Sequence, residues 1–218
     1  MKELWHKLNL DPSGALRDDL DLSFVEGPDP QNEWTWGAYS DELKDIFNED
    51  WLDYMESKNC RPDNVVIFYK PVNCRDNIHI DYRPNKQFTQ IAINLIANPG
   101  YVSGTGAHKK YKDWKDNATM RWYETDVHKH QPIQGVAKPK PGSTVGYSYD
   151  YIRVPEDESV KEIHSTIFND GIYLSNSLIP HQVVTTNQPR LCFSLRGCVE
   201  PQPSWEDLVR HLGDIGLL

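Results

Sequence analysis

The stretch Asn77-Ile78-His79-Ile80-Asp81-Tyr82 is answered far downstream by Pro180-His181-Gln182-Val183-Val184 and then Arg190-Leu191-Cys192-Phe193-Ser194-Leu195-Arg196. Each segment has the composition of a β-strand. A period of two puts His79 and Asp81 on one face of the first strand, with Ile78, Ile80 and Tyr82 on the other. In the last strand Arg190, Cys192, Ser194 and Arg196 share one face; Leu191, Phe193 and Leu195 share the opposite, apolar one. A polar face turned inward and an apolar face packed outward suit a ligand-holding β-barrel or sandwich better than an ordinary core. Two histidines and one carboxylate are the minimum set for a facial iron site that keeps positions open for a cosubstrate and oxygen. An arginine close behind the second histidine suits a dicarboxylate, because guanidinium binds carboxylate through two parallel hydrogen bonds.

The order His-x-Asp, a long gap, His, then Arg on the final strand resembles the iron(II)- and 2-oxoglutarate-dependent dioxygenase superfamily. The resemblance covers residues 64 to 198. It implies a mainly β fold with flanking helices, a double-stranded β-helix (jelly roll, cupin-like). It implies that His79, Asp81 and His181 are the metal ligands and catalytic set, with Fe(II) and 2-oxoglutarate as cofactors and O2 as the oxidant. It gives Arg190 the distal carboxylate of 2-oxoglutarate. Tyr69, in Val65-Val66-Ile67-Phe68-Tyr69-Lys70, matches the tyrosine that often precedes His-x-Asp in prolyl-hydroxylase-like members and helps hold the cosubstrate. The Arg190/Arg196 pair resembles the closing strand of the alkylated-base demethylases. Halogenating relatives replace the carboxylate with a small residue, so Asp81 implies hydroxylation, or a related oxidation such as demethylation or desaturation. The expected products besides oxidised substrate are succinate and CO2.

Other positions keep more than one reading. Ser194 lies between the two arginines and is a candidate for the same carboxylate. Arg196 reads as a support for the site, a substrate contact or an exposed strand end. Asn94, polar within Ile91-Ala92-Ile93-Asn94-Leu95-Ile96, is either a cosubstrate contact or the centre of a core hydrogen-bond network. Arg121 and Tyr123 share one strand face and Trp122 takes the other, and one side is expected to line the pocket. Arg83 is a candidate for the substrate entrance. His128-Lys129-His130 competes for metal, but a cupin-type site expects a glutamate where Gln134 and Gly135 stand, so a surface loop is the better reading.

The chain has 218 residues, the size of one domain with a substantial core. It divides into an N-terminal helical cover (1–63), a jelly-roll core (64–198) and a C-terminal helix (199–218). Mean hydropathy is −0.66, and the N-terminal residues carry no apolar signal core, so a soluble, cytoplasmic protein without a membrane partner is expected. The net charge of −9 opposes general nucleic-acid binding, which wants a basic face. The lysines at 109–115 and 129–140 read as solvated loop charges. Cys60, Cys74, Cys192 and Cys198 show no Cys-x-x-Cys spacing and read as thiols. The expected substrate is therefore a small molecule or a peptide. The alternatives are a nucleic-acid demethylase and a metal-free binding module. The sequence carries no signal of oligomeric state.

Residues 41–57 predict one amphipathic helix with an apolar stripe of Leu43, Ile46, Phe47, Trp51 and Met55. Strand-like runs follow at 65–70, 77–82, 88–96, 118–123, 144–151, 163–168, 171–176, 181–186 and 190–197. Residues 97–117 and 124–143 read as long loops, the first as a lid over the pocket. Ser204 to His211 reads as a capped helix.

Overall fold

The computed structural model describes residues 3–12, 14–22, 24, 31–81, 92–96, 118–125, 131–139, 147–168, 171–196 and 204–218. Its strands are β1 (Trp5–Lys7), β2 (Trp34–Tyr39), β3 (Asn64–Lys70), β4 (His79–Ile80), β5 (Ala92–Ile96), β6 (Thr119–Glu124), β7 (Gln131–Pro139), β8 (Tyr147–Arg153), β9 (Lys161–Ile167), β10 (Gly171–Ser175), β11 (His181–Val184) and β12 (Arg190–Arg196). The helices are α1 (Ser40–Leu43), α2 (Glu49–Ser57) and α3 (Trp205–Asp214). The protein is mainly β, with its helices at the flanks.

Among the described residues the strands hydrogen-bond in the order β1-β10-β5-β12-β3-β2-β7-β8-β4-β11-β6-β9, and the order does not close into a barrel. Among the described residues all pairings are antiparallel except β2 with β7, a short parallel join through Trp36 to Lys138 and Gly37 to Pro139. That join divides the order into two runs of six strands. Within them β3 pairs with β12, β4 with β11, β5 with β10 and β6 with β9.

Alternation explains where the core sits. Val65 and Ile67 of β3 and Leu191, Phe193 and Leu195 of β12 point to the outer side of the first run. There they pack on Phe47, Trp51, Leu52 and Met55 around α2 and on Trp205, Leu208 and Leu212 of α3. The largest apolar core is thus between sheet and helices. The inner faces of the two runs are left to line a cavity. A smaller cluster, with Leu4, Trp122, Phe168, Tyr173 and Val183, fills one end.

Three elements differ from expectation. The helix predicted over 41–57 is two helices, because the turn between them is pinned to the N-terminal segment. Phe47 bridges Leu16, and Asn48 Nδ2 donates to the carbonyls of Gly14 and Leu16 at 2.6 and 2.9 Å. Residues 1–63 are not a purely helical cover: β1 and β2 extend the sheet, with β2 paired along β3 from Trp34/Tyr69 to Tyr39/Asn64. Residues 131–139, read as loop, form β7 along β8. The C-terminal helix forms as predicted, with Ser204 Oγ accepting from Asp207 N at 3.1 Å. Loop 97–117, Arg83 and His128-Lys129-His130 lie outside the described residues. Among the described residues, Cys60, Cys74 and Cys192 form no disulfide, and no helix is long and apolar enough to cross a membrane.

Candidate metal centre

The structure brings His79, Asp81 and His181 together. One ligand atom from each lies within 4.8 Å of the others. The cause is strand register. His79 is the direct cross-strand partner of His181, and the two imidazole centroids are 4.4 Å apart. β4 is only two residues long, but backbone bonds fix it on both flanks. Asp76 N donates to Val183 O at 3.1 Å, Val154 N to Ile78 O at 2.8 Å and Asp81 N to Ser177 O at 3.0 Å. Ile78 and Ile80 pack away from the site with Tyr123 and Val154, as alternation requires.

Both imidazoles are oriented in the same way. His79 Nδ1 lies 2.8 Å from Asn77 O, and His181 Nδ1 lies 2.9 Å from Ile179 O. A carbonyl only accepts, so in each ring Nδ1 donates, which in a neutral imidazole leaves the Nε2 lone pair for a metal. Burial, then the proximity of His79, pushes the His181 pKa down to about 4, so this ring is neutral at physiological pH. Burial alone would raise the Asp81 pKa. The Arg196 guanidinium and the two imidazoles outweigh it and hold the carboxyl below its ordinary value. Neutral imidazole and ionised carboxylate are the protonation states that ligation demands.

Asp81 divides its oxygens. Oδ1 is 3.7 Å from His79 Nε2, and Oδ2 is 3.5 Å from Arg196 Nη2. Arg196 Nη1 is buried and has no hydrogen-bond partner among the described residues.

The three residues open into a cavity of about 180 Å³ between the two runs of strands. From β12 it is lined by Arg190, Cys192 and Arg196, and from β3 by Val66, Phe68 and Lys70. Glu33, Thr35, Asp76, Asn77, Met120, Tyr151, Ser175, Ser177 and Val183 complete the lining. Arg190 is 7% exposed, so it is a cation held in a largely dry wall.

The remaining sequence candidates fall in different places. Tyr69 does not line the cavity. It is buried one step out of phase, beside Leu191 and Trp34 on the neighbouring strands, and Lys70 takes the inward position. Ser194 is fully buried on the same face of β12 as the arginines, and its hydroxyl has no partner among the described residues. The backbone of Asn94 lies opposite Ser194, and its side chain is outside the described part of the structure. Arg121, Trp122 and Tyr123 do not line the cavity; Met120 does. Arg121 pairs with Glu162 at 3.3 Å, and Tyr123 donates to Gln182 Oε1 at 2.8 Å. Lys70, Glu33 and Asp76 were not anticipated. Lys70 ending an apolar strand was the one available signal, since an inward lysine needs a partner.

No protein-family model matches the sequence, and no curated protein matches it.

Proposed function

We propose that this chain is an Fe(II)- and 2-oxoglutarate-dependent dioxygenase of the double-stranded β-helix type that oxidises a small molecule or an amino-acid or peptidyl substrate. The observation that carries this reading is the His79, Asp81, His181 cluster opening into a cavity whose facing wall holds Arg190 and Arg196. The strand pairing supports it. Numbered along the chain, β3, β4, β5, β6, β9, β10, β11 and β12 pair first with last, second with seventh, third with sixth and fourth with fifth. That nesting is what a long hairpin rolled into a jelly roll produces.

The donor set fits iron. It mixes two imidazole nitrogens with a carboxylate oxygen, and among the described residues the cluster has no fourth ligand of the kind a closed structural zinc site uses. When bound, iron and 2-oxoglutarate supply oxidation of a C–H bond by O2, coupled to release of CO2 and succinate. The protein's part is orientation. His79 and His181 present Nε2 in fixed tautomers, and Arg196 steadies Asp81 from the side away from the imidazoles. Arg190 offers its paired donors to the distal carboxylate of the cosubstrate. Val66, Phe68, Met120 and Val183 give the cavity apolar wall that keeps water from the reacting groups.

Succinate formation from 2-oxoglutarate tests the reading. It should require added iron, fall sharply in Arg190→Ala and recover little in Arg190→Lys, which lacks the paired donors. Purified protein that binds no divalent metal would overturn it and leave a metal-free binding module.

A further inference from the structure

The cavity holds a second charged cluster besides the three ligands. Lys70 ends β3 on the cavity face, with its side chain 8% exposed. Its ammonium donates to Asp76 Oδ1 at 2.5 Å and to Glu33 Oε1 at 2.7 Å. Its direct partner across the strand pair is Arg190, which lines the same cavity. Two cations and two carboxylates therefore meet in this part of the wall.

The two carboxylates differ. Asp76 is 15% exposed, and its backbone is held on both sides, N to Val183 O and O from Gln182 Nε2 at 2.6 Å. Glu33 is 43% exposed and sits just before β2. It also accepts from the Cys74 thiol, whose Sγ donates to Oε1 at 2.8 Å. A buried ammonium needs one good counter-charge, and Asp76 already supplies it. Glu33 is a second carboxylate reaching in from the half-exposed side. If Glu33 withdraws, Lys70 keeps Asp76 and its ammonium gains room for another carboxylate.

We propose that Lys70 and Arg190 together bind the distal carboxylate of the cosubstrate, and that Glu33 is an in-chain carboxylate which leaves Lys70 to make room for it. The proposal rests on the oxygenase reading above. It makes the preference for a dicarboxylic over a monocarboxylic 2-oxo acid a matter of exchange, one carboxylate replacing another on the same ammonium.

The test is calorimetric titration of the full chain loaded with Mn(II), using 2-oxoglutarate and, as a 2-oxo acid without a distal carboxylate, pyruvate. Glu33→Gln removes the competing charge and should tighten 2-oxoglutarate binding roughly tenfold, the worth of one charge-assisted hydrogen bond, while pyruvate binding stays unchanged. Lys70→Met should weaken 2-oxoglutarate binding by a similar factor and leave pyruvate alone. Because Lys70→Met strands Asp76, the Glu33→Gln arm decides the matter if that variant does not fold. Unchanged or weaker 2-oxoglutarate binding in Glu33→Gln, against a wild type that binds it, would overturn the proposal and leave the oxygenase reading standing. An equal effect on pyruvate would also overturn it, since the change would not be at the distal carboxylate. Failure of every Mn(II)-loaded form to bind 2-oxoglutarate would overturn both.

Discussion

Arg196 reaches across the cavity from one run of strands to Asp81 in the other, and their charged groups lie 3.5 Å apart. The pair is 14% and 16% exposed, so neither charge is well solvated. Without metal, the guanidinium is the nearest side-chain cation to that carboxylate among the described residues. Arg196→Met should therefore destabilise metal-free protein by about 2 kcal/mol, the range for a hydrogen bond to a charged group. A divalent ion on Asp81 would replace the lost charge. Thermal unfolding in chelator and in excess Mn(II) checks this: the deficit of Arg196→Met should shrink when metal is present. An equal deficit in both conditions would mean that Arg196 acts by packing.

The metal cluster itself makes a simpler demand. An ion that binds the folded chain alone stabilises it by about 2.7 kcal/mol at a concentration a hundred times its Kd. Mn(II) or Co(II) should raise the unfolding temperature of the wild type. His79→Ala, Asp81→Asn and His181→Ala should each remove that rise while leaving the metal-free protein folded. Retention of the full rise in His181→Ala would place the ion elsewhere.

Cys74 is a chemical probe of the Glu33 contact. Burial, then its hydrogen bond to Glu33, pushes the thiol pKa up to about 12. The thiolate is the reactive form, so Cys74 should resist iodoacetamide at pH 8 although it is only partly buried. Glu33→Gln removes the carboxylate that disfavours ionisation, and alkylation of Cys74 should speed up severalfold. Peptide mapping by mass spectrometry reads both rates, and equal rates would show that burial alone protects the thiol.

The parts of the site that were legible in sequence are those where a period of two speaks without ambiguity. His79 and Asp81 flank an isoleucine, and Arg190, Cys192 and Arg196 alternate with leucine and phenylalanine, so polar and apolar faces separate at once. Val65-Val66-Ile67-Phe68-Tyr69-Lys70 is apolar on both faces, because one packs on helices and the other lines the cavity. Its phase is hidden, and a shift of one residue exchanges Tyr69 for Lys70. Glu33 and Asp76 reach Lys70 from segments with no period of their own. β7 was masked by Pro132, Gly135 and Pro139, residues that usually argue against a strand. The break between α1 and α2 is set by Asn48 reaching the carbonyls of Gly14 and Leu16, a distant contact that local propensity does not encode.

The Lys70–Asp76 pair should write itself into the pH dependence of stability. Burial alone would raise the Asp76 pKa, but Lys70 and then His79 outweigh it and the folded value lies below the ordinary one. Burial alone would lower the Lys70 pKa, and its two carboxylates raise it instead. A depressed carboxyl stabilises the fold above its unfolded value of about 3.9, and the contribution fades as pH falls through the folded one. A raised ammonium stabilises the fold below its unfolded value of about 10.4 and loses the contribution as pH climbs through the folded one. Between those limits Asp76→Asn leaves Lys70 with Glu33 as its only carboxylate partner among the described residues. The cost at pH 7 should be about 3 kcal/mol, the low end for breaking a buried pair. Urea unfolding of wild type and Asp76→Asn at several pH values between 3 and 7 gives the difference directly. It should hold steady from neutrality down to about pH 5 and shrink below about pH 4, where the Asp76 carboxyl of the unfolded chain takes up a proton that the folded chain does not yet bind. A gap that stays constant to pH 3 would assign the loss to packing and not to charge.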